Sequence, residues 1–526
     1  MNSQETPSQP GGADATGSAR SRVSEWLVSR PRAVLVAGAV LVVAALGAGA
    51  VAAGASASRG PVASVTAATA EELEPRIVPE VAAAPARARS CVVDASDPAF
   101  AELSASVVNV ATGEQLYARG GADKPVSALS LHKLMTAAVA LHVLGPETRI
   151  PTRVYEGSVA GTIVLQAGGD ATLSAVPAGA ESVYPGAPKL SDLAAQTKAS
   201  LDRLYPGESG DDDDDGARRS DDGDDTDDAW FWNPFARGDS GPDWEITEVV
   251  VDTRLWGASD AWDPAWPAEE RTTGTQARIV PLMVDGDRQD ATLVTSPRSE
   301  DPAGAATAAF VTALDLPSAP RVTQGSAITD RPLLAEVYSQ PVSVLVQQML
   351  HLNDHTLADM LARLSSARVG NDGSAASLQQ LYESVLSQYG IPASGIVAAD
   401  GSGLNPASAV APEYVARLLS VAVSGDATLR YIHLGLPVAG VSGPLLHRFS
   451  GDFATVHSVF GGIGAAGESA TSLGGLLTAA DGTILALSLQ SIGDVTSATG
   501  LALESFVVAA HACGDNLAAG KAPSGG

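Results

Sequence analysis

An uncharged apolar run from Ala33 to about Ala57 (AVLVAGAVLVVAALGAGAVAAGASA) stands out from the mixed hydrophobic and polar pattern of the rest of the chain. At 1.5 Å per residue a helix of this length crosses a bilayer, and the run has no polar face to turn toward water. Arg20, Arg22, Arg30 and Arg32 precede it, so residues 1–32 are expected in the cytoplasm and everything after Ser58 outside the membrane. Cleavage after Ala55-Ser56-Ala57 would instead make the run a signal peptide and give a secreted protein. Residues 58–90 are rich in Ala, Pro, Glu and Arg without sustained periodicity, and read as a tether.

Beyond the tether the pattern alternates between strand and helix periods. Ser104 to Val110, the turn Ala111-Thr112-Gly113-Glu114 and Gln115 to Arg119 predict a β-hairpin. Leu131, Leu134, Met135, Ala138, Leu141 and Val143 recur at near-helical spacing and predict a helix from Ser130 to Leu144, ended by Gly145-Pro146. Strand-like runs follow at Thr162 to Gln166, Ile246 to Asp252 and Ile279 to Val284, giving the middle of the chain the look of a β-rich insert. Helical spacing returns at Pro302 to Leu314, Pro341 to His351, Thr356 to Ser366 and Ala375 to Tyr389, and strands at Leu473 to Leu477 and Thr483 to Leu489. Mixed α/β (α+β) segments at both ends, with an insert between them, predict one domain built from two distant stretches.

Composition sharpens this picture in three places. The net charge is −28 and only five lysines occur, so the clustered cations that phosphate binding needs are absent and no nucleic-acid partner is expected. Much of the acidity is local: Asp211 to Asp228 (DDDDDGARRSDDGDDTDD) repels itself and reads as a disordered surface loop within residues 207–242. Cys91 and Cys513 bracket nearly the whole exported region; in an oxidising compartment they either bridge its two ends or remain two buried thiols. The eight histidines show no metal spacing, and no cofactor or metal is expected.

The candidate chemistry lies at Ser130-Leu131-His132-Lys133. A serine and a lysine three apart at a helix start share one face, so a neutral Lys133 amine can take the Ser130 proton and the alkoxide can attack a carbonyl. Alone the pair equally fits an N-cap serine followed by a solvent-facing lysine. Its surroundings favour the chemistry. PVSALSLHKLMTAAVALHVLGP around Ser130, AGGDATLS at Ala167 to Ser174, VVVDTRLW at Val249 to Trp256 and DPAGAATAAFVTAL at Asp301 to Leu314 form an ordered series. DGSGLNP at Asp400 to Pro406, GLPVAGVSGPLLHRF at Gly435 to Phe449 and TAADGTILALSL at Thr478 to Leu489 continue it. From about residue 92 to 510 this series resembles the class C low-molecular-mass penicillin-binding proteins, D-alanyl-D-alanine carboxypeptidases and endopeptidases of the S13 type.

That resemblance implies a penicillin-binding, β-lactamase-like serine peptidase domain, acylation at Ser130 with Lys133 as base, peptidoglycan stem peptides as substrates and β-lactams as covalent inhibitors. It also implies two further motifs, and both are altered here. The Ser-x-Asn motif corresponds to Asn353-Asp354-His355, where Asn353 has no hydroxyl to pass a proton and His355 is a candidate acid or base. The Lys-Thr-Gly motif falls on Ile463-Gly464-Ala465 or, with a short gap, Val459-Phe460-Gly461, and no lysine lies between Lys198 and Lys521. His457-Ser458 is the nearest cationic and hydroxyl pair. Without the lysine, a substrate carboxylate forgoes a charge-assisted contact of about 1.5–3 kcal/mol. The expected organisation is an anchor over 33–57, a tether over 58–90, peptidase halves at 91–175 and 331–513 around an insert at 176–330, and a tail at 514–526. A non-hydrolytic paralogue that binds cell-wall peptides or envelope partners, and an esterase using the same nucleophile, are the alternative functions.

Overall fold

The hairpin at the start of the folded region forms from Glu102–Asn109 (β1) and Gln115–Arg119 (β2). The computed structural model describes residues 89–206, 244–328 and 330–518, so the apolar run at 33–57 and the acidic segment at 207–242 lie outside the described residues. Among the described residues no helix is long and apolar enough to cross a membrane. The principal elements that follow are α1 (His132–Leu144), β3 (Arg149–Glu156), β4 (Thr162–Gln166), α2 (Leu190–Leu204), β5 (Glu248–Asp252) and α3 (Pro302–Leu314). Next come β6 (Arg321–Gln324), β7 (Leu333–Pro341), α4 (Val342–Leu352), α5 (His355–Arg368), α6 (Leu378–Leu386) and α7 (Pro412–Val423). The chain closes with β8 (Phe460–Ala466), β9 (Ala470–Thr478), β10 (Ile484–Ile492) and α8 (Ser497–Cys513).

Two five-stranded sheets organise these elements. The first is antiparallel in the order β8-β9-β10-β1-β2, so the last strands of the chain pair with the first. Leu485, Leu487 and Leu489 of β10 pack with Leu503, Phe506 and Val507 of α8, whereas Ala486 joins the core containing Val415, Leu418 and Leu419 of α7. Covered on both faces, β9 and β10 are buried along nearly their whole length, including the polar Ser472, Ser488 and Gln490. The second sheet has the order β6-β5-β4-β3-β7, with β4, β5 and β6 mutually parallel and β3 antiparallel to both its neighbours. Helices α2 and α3 pack together beside it over Leu193, Leu201, Phe310 and Leu314. The middle of the chain is thus α/β rather than simply β-rich, and its sheet draws on residues 149–341, beyond the expected 176–330.

One expected strand does not form. Ile279 to Val284 pairs with no other strand; instead Ile279, Val280 and Met283 enter the main core while Leu282 enters the core of the second sheet. The apolar run bridges two cores, and burial on both sides produces the same composition as a buried strand. Helix α3 follows its residue pattern closely: Asp301 accepts from the Gly304 N–H at 3.0 Å and Pro302 occupies the first helical turn. The expected helix over Ala375 to Tyr389 is α6 flanked by two short 3-10 turns.

The chain ends are clasped. Cys91 and Cys513 form a disulfide with Cα atoms 5.5 Å apart, and Cys91–Val92 pairs in parallel with Leu517–Ala518. Arg89 adds a bond from Nε to the Asp515 carbonyl at 2.9 Å and one from Nη2 to Glu114 Oε2 at 2.7 Å.

Candidate active site

Ser130 lies in a 3-10 turn (Leu129–Leu131) that runs directly into α1. Leu129 holds φ at 48°, a left-handed conformation that leucine disfavours, and local strain of this kind is kept only where the surroundings over-determine it. Gly403 is one such surrounding. It adopts φ +76°, and a Cβ there would lie 2.0 Å from the Leu129 carbonyl oxygen and 2.8 Å from the His132 Cβ. Gly403→Ala is therefore expected to lower stability by about 2 kcal/mol or more through φ strain and overlap. A denaturant titration showing a change under 0.5 kcal/mol would contradict the tight fit.

The Ser130 side chain is buried and its Oγ has no hydrogen-bond partner. Lys133, also fully buried, sends its Nζ to the Ser402 carbonyl at 3.0 Å and faces His355 Nδ1 at 3.2 Å. Burial lowers the Lys133 pKa to about 8 against the opposing pull of Asp400, Asp359 and Asp354. Those three carboxylates are arranged around the amine by a shared loop and helix. Asp359 of α5 accepts from the Gly401 N–H at 2.6 Å and from Gln276 Nε2 at 2.8 Å. Asp400 accepts from Ser402 Oγ at 3.0 Å, Ser408 Oγ at 2.7 Å, Trp266 Nε1 at 3.0 Å and the Gly403 and Asn405 N–H groups. Burial, and then the Asp400 charge, raises the Asp359 pKa. The Asp400-Gly401-Ser402-Gly403 loop thus carries the carbonyl that holds the lysine.

His355 begins α5, with Asn353 ending α4 at φ 53° and Asp354 as the N-cap between them. Burial and the adjacent Lys133 charge push the His355 pKa down to about 3, leaving the imidazole neutral. For Lys133 to donate to Nδ1, the ring must carry its proton on Nε2. Asn353 Oδ1 is buried without a hydrogen-bond partner. His132, inside the Ser-x-x-Lys segment, stacks on Tyr382 with ring centroids 5.6 Å apart and finds no hydrogen-bond partner for either nitrogen.

The edge strand β8 passes the Ser130 turn near its C-terminal end. Gly474, paired with Ile463, has its Cβ position 3.0 Å from a Leu131 methyl, and that of Gly467 is 3.8 Å from Leu129. The stretch Ile463-Gly464-Ala465 therefore runs beside the Ser130 turn and offers backbone and apolar side chains. His457 and Ser458 precede β8 and bond elsewhere: His457 Nε2 contacts the Phe449 carbonyl at 2.8 Å, and the Ser458 N–H donates to the Ala439 carbonyl at 3.0 Å. The structure brings Ser130, Lys133 and His355 together and does not join His457 or Ser458 to them by hydrogen bonds. Among the described residues no group of three or more His, Cys, Asp or Glu is arranged to hold a metal.

Several groups around the amine were not singled out from the sequence. Asp359 acts on the amine by its charge, and Gln276 and Trp266, both from the insert, bond to Asp359 and Asp400, while Thr356 Oγ1 donates to Gln276 Oε1 at 3.1 Å and accepts from the Ala277 N–H at 3.0 Å. Asp359 alone had a local signal, as the acid four residues beyond His355.

Comparison with known proteins agrees with this geometry. The model of the D-Ala-D-Ala carboxypeptidase 3 (S13) family matches residues 92–201 and 283–510. Carboxypeptidase DacB of Mycolicibacterium smegmatis is 28% identical over 506 residues, covering 94% of this chain and 99% of its own. A carboxypeptidase of Mycobacterium tuberculosis is 30% identical over 423 residues, covering 79% of this chain and 82% of its own. Among solved structures, penicillin-binding protein 4 of Haemophilus influenzae superposes with a TM-score of 0.59 at 15% identity, covering 78% of this chain and 96% of its own. The fold is accordingly the mixed α/β fold of penicillin-binding proteins, and the chain belongs to the D-Ala-D-Ala carboxypeptidase S13 family.

Proposed function

We propose that the chain is a serine D-Ala-D-Ala carboxypeptidase or endopeptidase that acts outside the cytoplasmic membrane on peptidoglycan stem peptides, through an acyl-enzyme on Ser130. The observation that carries this reading is the placement of Lys133. Its amine, three residues along the chain from the buried serine, has its pKa lowered to about 8 by burial and is held between the Ser402 carbonyl and a neutral imidazole. In its neutral form it accepts the Ser130 proton as Oγ attacks the carbonyl carbon. Collapse of the tetrahedral adduct expels the amine, which needs a proton; in this reading the Lys133 ammonium passes the Ser130 proton to His355 Nδ1 while Nε2 releases its own to the leaving amine, so the imidazole stays neutral and takes the place of the family's hydroxyl. Water then attacks the ester and the serine recovers its proton.

The altered motifs support a second reading, a paralogue that binds stem peptides without turning them over. Ser130 Oγ makes no hydrogen bond to Lys133, and β8 carries no cation for a substrate carboxylate. One experiment separates the two. The purified full-length chain incubated with a fluorescent penicillin is expected to become covalently labelled, and Ser130→Ala to lose all label. Absence of label at millimolar probe and long incubation would rule out acylation. Label without D-alanine release from a pentapeptide would assign the binding role.

A further inference from the structure

Asp354 joins the second-motif region to the insert. Its Oδ1 caps α5 by accepting from the Leu357 N–H at 2.9 Å, while its Oδ2 accepts from Tyr184 Oη at 2.6 Å and Arg288 Nη2 at 2.7 Å. Arg288 Nη1 also donates to Tyr184 Oη at 2.7 Å and to the Asp285 carbonyl at 3.1 Å, which closes a triangle of side chains. The Arg288 and Asp354 side chains are 1% and 0% exposed, and Tyr184 is fully buried. Asp285, Gly286 and Asp287, immediately before Arg288, all hold positive φ, so the backbone makes a costly excursion to aim that arginine. The donors come from residues 184 and 288, and the acceptor lies between Asn353 and His355.

We propose that Tyr184 and Arg288 are positioning residues for acylation: by holding Asp354 they fix the first turn of α5, seat His355 against Lys133 and balance the negative charge beside the amine. This rests on the reading of Ser130 as the acylated residue. The chain between Asn353, which ends α4, and His355, which begins α5, is Asp354 alone. A shift of that residue moves the imidazole and alters its 3.2 Å contact with Lys133.

The charges are unequally shared. Lys133 faces Asp354, Asp359 and Asp400 from α5 and the 400–403 loop, with His355 and His132 as its neutral neighbours. Asp354 faces Arg288 and Arg298 as well as Tyr184, yet Arg298 spends its donors on the Gly274 and Gly286 carbonyls. Arg288 is therefore the cation in contact with Asp354. Removing it leaves the carboxylate less compensated, which favours the ammonium form of Lys133 and moves the onset of acylation to higher pH.

The test measures fluorescent-penicillin acylation of the full-length chain against pH in Arg288→Met, Arg288→Lys, Tyr184→Phe and Arg448→Met. Arg448 pairs with Glu504 of α8 at 2.8 Å, away from Lys133 and its carboxylates, and serves as a control for loss of packing and charge at a distance. Arg288→Met is expected to slow acylation at pH 7 about tenfold and to move the acid limb upward by about half a unit or more. Arg288→Lys should leave the limb in place because the charge is kept, and Arg448→Met should lower stability without moving it. If Arg288→Met fails to fold, Tyr184→Phe, which deletes one hydroxyl, is expected to shift the limb in the same direction. An unchanged limb in a folded Arg288→Met or Tyr184→Phe, or an equal shift in Arg448→Met, would overturn the proposal while leaving acylation at Ser130 standing. Absence of acylation in the parent chain would overturn both.

Discussion

Lys133→Met should cut the rate of Ser130 acylation by about 10²–10⁴-fold, the usual contribution of a positioned general base. Methionine fills a similar volume without an amine, so the buried site keeps its packing while the proton acceptor disappears. Lys133→Arg is expected to fail nearly as badly, since a guanidinium stays protonated and accepts nothing. In the parent chain the rate should rise with pH through about 8, where burial places the Lys133 pKa. The sign follows from the form used: acylation needs the neutral amine, which makes up only about a tenth of the population one unit below its pKa. Stopped-flow acylation at several pH values decides the matter. A Lys133→Met chain that keeps a third of the parent rate, or a parent rate flat from pH 6 to 9, would remove Lys133 from the role of base.

The second large effect concerns stability. The disulfide between Cys91 and Cys513 closes a loop with a sequence separation of 422, and cross-links across long loops restrict the unfolded chain most. Replacing both cysteines by serine is expected to lower unfolding free energy by about 2–5 kcal/mol. The two short strands and the Arg89 contacts beside the bridge should loosen first, because they join the same two chain ends. Guanidinium titrations of the double variant, and of the parent with and without a thiol reductant, give the value. Since Cys513 packs into the core beneath α8 while Leu131 of the Ser130 turn belongs to the other core, the acid limb of acylation is expected to stay where it is. A limb that moved with the bridge would mean that the clasp reaches the active site.

Much of the fold was legible because its signals are local. The hairpin turn at Ala111 to Glu114, the Asp301 cap followed by Pro302, and the apolar spacing from Leu131 to Leu144 each need only neighbouring residues to act. The signals failed where burial had more than one possible source. Ile279 to Val284 looked like a strand because two cores claim alternate parts of it. Helix α8 (Ser497–Cys513) escaped notice for a related reason: it is apolar on most sides, and a helix without a polar stripe loses its period.

At the site the division has the same physical basis. Ser130 and Lys133 were readable from sequence because a three-residue spacing on a helix dictates a shared face. His355 could be named as a candidate, but its contact with Lys133 spans 222 positions, and the Ser402 carbonyl lies 269 positions from the same lysine. His457 was an equally reasonable cation by sequence, and the turn before β8 engages it with Phe449 instead. Sequence by itself determined the family, the Ser130–Lys133 spacing that makes the pair a candidate, the apolar segment at 33–57 and the absence of a lysine from the stretch that forms β8. Only the tertiary structure decided which histidine meets Lys133, that a tyrosine and an arginine from the insert grip Asp354, and that burial brings the amine near neutrality. Spacing along a helix or strand is set by bond geometry within a few residues, whereas desolvation and ion pairing depend on which distant segments close over a group.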